Sequence, residues 1–241
     1  WRTDASYRDS RFGIDWINAL LARHGHGHWC LVLDIDELFQ FPEMDRQGLQ
    51  DLTAWLGARG TTSLAAMMID LFPKGPLSAV SYQPGQDPVL ALPFLDPGPY
   101  RRERQARYRN LSIRGGVRER VFFADRPDLS PHLHKTPLVH WHWRQTYLSS
   151  THIILPRRLN DGFLDPRRPT GALLHTKFLP NVLEKSAEEK QRRQHFTHVE
   201  RYQDYYDDIL ADPDLWTKDA VRFRDWRQLV ELGLMRTGDW R

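Results

Sequence analysis

The chain has 241 residues, 40% of them hydrophobic and 12% aromatic, enough to bury a sizeable core in one large domain or in one domain with a helical extension. Its formal charge of +3 is too small an excess to argue by itself for a polyanionic partner. No apolar run approaches bilayer-spanning length, the first residues lack the basic-then-apolar order of a signal peptide, and a lone Cys30 excludes an intramolecular disulfide. The reading is a soluble, globular protein of a reducing, cytoplasmic compartment. A start at Trp1 rather than Met reads as sequence lost upstream.

In chain order, "RFGIDWINALLARHG" spaces Ile14, Ile17, Leu20 and Leu21 at helical period and stops at Gly25, which predicts a helix. "WCLVLDI" reads as a buried strand, "QGLQDLTAWLGARG" as a helix closed by Gly57 or Gly60, and "TTSLAAMMIDLFP" as a second buried strand broken at Pro73. Helix, strand, helix, strand implies α/β layers with a mostly parallel sheet flanked by helices. Prolines and glycines dominate residues 74–100, predicting a long surface loop. Strand-like pieces follow in "VRERVFF", "TPLVHWHW", "STHIIL" and "GALLHTKFL". Residues 180–241 read as a helical C-terminal tail packed on a domain of residues 1–179, with Phe196, Val199, Tyr202, Tyr206 and Ile209 in one stripe. Nine arginines face three acids in residues 101–126, which suits a phosphate or carboxylate ligand or else a solvated loop. No nucleic-acid-binding motif accompanies them, so no nucleic-acid partner is expected.

The most informative stretch is "WCLVLDIDELFQFP", which drives an apolar run into Asp34, Asp36 and Glu37. On an extended strand end, residues two apart point the same way, so Asp34 and Asp36 can aim both carboxylates at one point while Ile35 faces the core. Convergent carboxylates repel unless a cation joins them, and hard oxygen ligands suit Mg²⁺ or Mn²⁺. Ligands bind at the carboxyl ends of strands in open α/β sheets, so the acids read as a metal and phosphate site. The plainer alternative is a strand end that merely meets solvent.

"GHWCLVLDIDELFQFP" resembles the "GDWxLxxDxDE" form in which bacterial glycosyltransferases of family 2, and their relatives in family 92, carry a DxD motif. "RFGIDWINALLARHG", "LAAMMIDLFP", "GGVRERVF", "KTPLVHWHW", "SSTHIIL" and "GALLHTKFL" look like further blocks of that family, in order, so the resemblance covers residues 7–179. It implies a GT-A fold and metal-dependent transfer of a sugar from a nucleotide-diphosphate donor to a glycan or lipid-linked acceptor, with peripheral membrane contact open. Asp34 comes so early that the first nucleotide-binding βαβ units are expected to be missing from this chain.

The resemblance assigns Asp34 and Asp36 to the metal, Asp36 the more direct, with His175 completing the shell and Lys177 on the diphosphate; His152 is the rival for His175. An inverting transferase needs a carboxylate base, for which Asp70, at a strand end, and Glu119, in "GGVRER", are the candidates. Glu119 could instead pair with Arg118, Arg120 or Lys135. Arg118 and Arg11 are further candidate donor contacts, and Trp141, Trp143 and Tyr147 could stack on acceptor sugars. Two other readings stay open. "LVLDIDELF" is similar to the strand-end DxD of haloacid-dehalogenase-like phosphohydrolases, although Leu38 stands where these want Thr or Val and the only adjacent acidic pair is Asp207 and Asp208. "HGHGH", "HLH" and "HWH" would suit a zinc-binding module.

Overall fold

The computed structural model describes residues 2–4, 6–192 and 199–240. Helices α1 (Ile14–His24) and α2 (Leu49–Ala58) form where the sequence spacing places them. Gly25 closes α1, its N–H donating to the carbonyl of Leu21 at 2.8 Å. Asp51 anchors the start of α2 by accepting the Gly48 N–H at 2.8 Å, where the helix dipole favours an acid. α1 buries Ile14 and Leu21 with Val139, Trp141 and Tyr147, and α2 buries Leu52 and Leu56 with Phe41, Leu64 and Leu138.

The central sheet contains β1 (Trp29–Leu31), β2 (Glu37–Gln40), β3 (Ser63–Asp70), β7 (His134–His140) and β10 (Gly171–His175), in the order β1-β7-β3-β10-β2. Only β3 and β10 run parallel; β1 with β7, β7 with β3, and β10 with β2 are antiparallel. The expected mostly parallel, GT-A-like sheet is therefore corrected to a mixed one. The helix and strand order was read as successive crossovers, whereas the chain turns straight back from β1 into β2, and these two become opposite edges of the sheet.

Small pairs surround this sheet: β4 (Phe94–Leu95) with β11 (Val221–Arg222), β5 (Tyr100–Gln105) with β6 (Asn110–Gly115), and β8 (Thr146–Ser149) with β9 (Ile153–Leu155). The remaining helices are α3 (Pro88–Ala91), α4 (Gly116–Phe122), α5 (Asn181–Arg192), α6 (Val199–Leu210) and α7 (Trp226–Glu231). "VRERVFF", expected to be a strand, forms most of α4, where Arg118 and Phe122, four residues apart, are both buried. The expected surface loop of residues 74–100 is anchored by Leu77, Leu92 and Leu95, each fully buried. Phe196 of the expected tail stripe lies outside the described residues; Tyr206 and Ile209 are buried. They share one apolar cluster with Met68 and Ile69 of β3, Leu173 of β10, and Trp226 and Leu229 of α7. Among the described residues no helix is long and apolar enough to cross a membrane.

β10 lies against β2 at Gly171, where an added Cβ would stand 2.6 Å from Phe39 Cε2 and 3.0 Å from the Gln40 carbonyl oxygen. Gly171→Ala should cost about 1–3 kcal/mol by urea denaturation, because β2 must shift. Gly57→Ala, on α2 with nothing near the new methyl, should instead gain about 0.4–1 kcal/mol.

Candidate functional site

The acids do not extend a strand. β1 ends at Leu31, and residues 34–37 form a turn in which the Glu37 N–H donates to the Asp34 carbonyl at 3.1 Å. Ile35, expected to face the core, is 101% exposed at the tip of this turn. A turn at this point lets Asp34 and Asp36 serve different partners, where a strand would have aimed them together.

Asp34 is the exposed member of a three-residue cluster whose other two, Lys135 and Glu37, are buried. Lys135 on β7 donates to Glu37 Oε1 at 2.5 Å and to Asp34 Oδ2 at 2.7 Å, while Glu37 Oε2 accepts the Asp34 N–H at 3.2 Å. Burial alone would lower the Lys135 ammonium, but Glu37 and Asp34 more than reverse this and raise it. Lys135 therefore ties β7 to the turn as a charged group.

Asp36 belongs to a second chain of contacts. Its backbone carbonyl accepts from the Thr176 N–H at 2.8 Å and the Thr176 hydroxyl at 3.1 Å, which pins the turn to the end of β10. Its Oδ2 lies 3.2 Å from His175 Nε2. The other ring nitrogen, Nδ1, is 2.6 Å from Asp70 Oδ1, and Asp70 Oδ2 accepts from Arg118 Nε at 2.7 Å. Burial works to raise both carboxyls and is overcome in each case. His175, with Lys177, holds Asp36 well below the usual range, and Arg118 with His175 brings Asp70 to about 2. His175 shows the converse, since burial would lower it but the hydrogen bonds to Asp36 and Asp70 raise it.

With Nδ1–H given to Asp70, His175 presents a lone pair at Nε2 to a carboxylate oxygen. Two acceptors 3.2 Å apart repel unless a proton or a metal ion joins them. Adjacent ligands of an octahedral ion with bonds near 2.1 Å stand about 3 Å apart, so Asp36 and His175 fit the donor pair of Mg²⁺ or Mn²⁺. Asp70 stands where an outer carboxylate would orient His175 if it held a metal. Asp34 faces Lys135, not this pair, and among the described residues no group of three or more acids, histidines or cysteines could hold a metal ion. A metal here would take its remaining ligands from phosphate and water, as Mg²⁺ commonly does.

The other expected site residues are distributed unevenly. Lys177 follows β10 with its ammonium 5.8 Å from the centre of the Tyr205 ring, and it is lowered by burial and by Arg118 against the opposing pull of Asp36 and Asp70. Arg118 is buried on Asp70 and is not available at the surface. Glu119, the next residue of α4, turns away and accepts from Arg101 at 3.0 Å and Ser130 at 2.5 Å. Asp70 has both oxygens engaged and a depressed pKa, so its geometry suits orienting His175 better than taking a proton. Arg11 pairs with Asp15 on the exposed start of α1. His152, the rival ligand, has Nδ1 2.6 Å from the His134 carbonyl and is pushed down to about 3 by burial and by Lys135. Trp141 and Tyr147 are buried, and the Tyr147 hydroxyl donates to the Thr136 carbonyl at 2.7 Å; of the expected stacking residues only Trp143 is exposed. The sequence reading did not place Lys135 in the site, although a lysine inside the apolar run "HKTPLVH" signals a buried cation needing a carboxylate. Compared with known proteins, the chain matches no protein-family model, no curated protein and no solved structure.

Lys135→Met would leave Glu37 buried without its cation and should cost about 3–5 kcal/mol in urea denaturation. Asp70 has a folded pKa below the ordinary 3.8, so its contribution is present above that value and is lost as pH falls toward about 2. His175 has a raised pKa, so its contribution is present below 6.5 and is lost as pH climbs through the folded value. Unfolding midpoints should therefore fall between about pH 4 and pH 2, and Asp70→Asn should flatten that acid limb. An unchanged acid limb in the variant would remove Asp70 from the account.

Proposed function

We propose that this protein is a divalent-metal-dependent glycosyltransferase, moving a sugar from a nucleotide-diphosphate donor to a glycan or lipid-linked acceptor. The observation that carries the reading is the Asp36–His175–Asp70 chain: a half-exposed carboxylate and a histidine nitrogen facing each other, with the histidine fixed from behind by a buried acid. Bound there, Mg²⁺ or Mn²⁺ would supply charge stabilisation for the diphosphate as its bond to the sugar breaks. Lys177 offers a second cation to the same diphosphate, and Thr176 holds the backbone of Asp36 in place. Asp70 keeps His175 in the tautomer that leaves Nε2 open, and Arg118 neutralises Asp70 so that the cluster can accept a further anion.

Support comes from this donor set and from the resemblance of the DxDE block, and not from the fold, whose sheet is mixed. The phosphohydrolase alternative is less favoured. Its nucleophile would be Asp34, which Lys135 holds in an ion pair shared with Glu37, and Asp207 and Asp208 lie on α6.

Calorimetric titration with UDP and GDP, with and without Mn²⁺, tests the proposal. Binding of one nucleotide should require the metal and should be lost in Asp36→Asn, whose side chain is partly exposed and whose backbone contacts to Thr176 persist. Nucleotide binding that is undiminished in Asp36→Asn, or no binding to the wild type with Mn²⁺ present, would sink the assignment.

A further inference from the structure

A second site lies beside the β5–β6 hairpin, at the other end of β10. Thr170, just before β10, lines a cavity of about 370 Å³, and His175 ends the same strand five residues later. That separation is about 16 Å at the rise of an extended strand. Met67 and Ile113 form the floor, and Leu111, Phe163 and Val230 are half-buried walls. The volume and the mixed lining, apolar side chains beside polar groups, suit a small amphipathic organic molecule.

Two guanidinium groups line this apolar space. Arg102 donates from Nη2 to the Gly233 carbonyl at 2.8 Å. Arg236 is held by carbonyls as well: those of Arg168 at 3.1 Å, Gly162 at 3.3 Å, Phe163 at 3.5 Å and Asp165 at 2.9 Å. The Asp165 carboxylate is engaged by Arg167 and Arg168 instead. Among the described residues neither Arg102 nor Arg236 has an ion-pair partner. Burial lowers Arg236 first, and repulsion from Arg102 lowers it further, against the pull of Asp165. Neutral carbonyls, rather than direct ion pairs, fix both side chains next to an apolar wall. An oxyanion is the group that guanidinium geometry matches.

We propose that this cavity binds a small organic anion, a carboxylate or phosphate on an apolar body, with its oxyanion held by Arg102 and Arg236. The site is separate from the Asp36–His175 pair and does not depend on the transferase reading. Its ligand could reach it as a free solute or as the headgroup of a lipid.

Hexyl phosphate, hexanol and inorganic phosphate serve as probes, titrated calorimetrically into the protein. Hexyl phosphate should bind at least about tenfold more tightly than either of the others, since each lacks one half of the recognition, and Arg102→Met should weaken it by a similar factor. Arg102 is exposed and makes a single carbonyl bond, so the variant should keep its circular dichroism and melting temperature. Val230→Phe, which fills the apolar end from α7, should weaken hexyl phosphate in the same way. Flotation with phosphatidylglycerol vesicles that is lost in Arg102→Met, and absent with phosphatidylcholine, would assign the ligand to a lipid headgroup. Binding of hexyl phosphate without flotation would assign it to a free solute. Failure of hexyl phosphate to bind the wild type, or equal affinity in both variants, would overturn the proposal.

Discussion

The acidic turn depends on His175, and His175 depends on strand register. As the last residue of β10 it pairs with Asp70 in the parallel register with β3 and with Glu37 in the antiparallel register with β2. The end of β3 and the turn that leads into β2 thus bring Asp70 and Asp36 to either side of one imidazole. Asp70 takes Nδ1, which leaves Nε2 to face Asp36 across 3.2 Å. A neutral ring there meets a carboxylate with its lone pair, an arrangement that only a proton or a metal ion makes favourable. The raised pKa of His175 is the proton's solution, and an ion bound by the same two atoms is the alternative. A metal ion bound there, as proposed, would have to displace that proton, so its affinity would fall as pH falls.

The remaining acids are compensated by cations that arrive from elsewhere in the fold. Lys135 comes from β7 and serves Asp34 and Glu37; Arg118 comes from α4 and serves Asp70. Neither would reach its partner if its element moved by one residue. α4 is set by Gly115 and Gly116, with φ of 135° and 71°, and a Cβ at Gly115 would lie 2.7 Å from the Pro99 carbonyl oxygen. That close approach of two backbones is available only to glycine and fixes where Arg118 begins its reach. The buried ion pairs need not add stability over an apolar core of the same shape, but removing one partner strands the other. Their value is to hold Asp36 and His175 in place while keeping the surroundings near neutrality.

Much of this was legible in the sequence, and the boundary follows from what a linear pattern encodes. "SLAAMMID" and "GALLH" are continuous apolar runs, so β3 and β10 could be found, and Asp70 and His175 could be placed at their ends. α1 and α2 carried helical spacing with glycine punctuation. Strand direction was not encoded in those runs, because a fully buried strand shows the same apolar pattern whether its neighbours are parallel or antiparallel. The turn at Ile35 was hidden for a similar reason: apolar composition pointed inward, while Asp34 and Asp36 on either side of it meet separate partners, Lys135 and His175, and Ile35 is left exposed. "VRERVFF" alternates well enough for a strand, and the two preceding glycines that start a helix there act through a contact with Pro99 and Tyr100, distant in sequence.

The arginine-rich segment shows how poorly a charge count predicts a charged surface. Arg101 is matched by Glu119 and Asp128, Arg109 by Asp161, Arg118 by Asp70, Arg120 by Asp96 and Arg126 by Asp204. The acids come mostly from other segments, so a count taken within residues 101–126 overstates the excess. Arg102 differs from these five because its partner is a backbone carbonyl, as the Asp128 carbonyl is for Arg114, and a carbonyl fixes a guanidinium without neutralising it. It meets Arg236, contributed by the tail, under the same condition, and both line a cavity with apolar walls. An anion is favoured where cations are held by dipoles and kept from carboxylates, and of the arginines so held in this segment Arg102 is the one that lines the cavity.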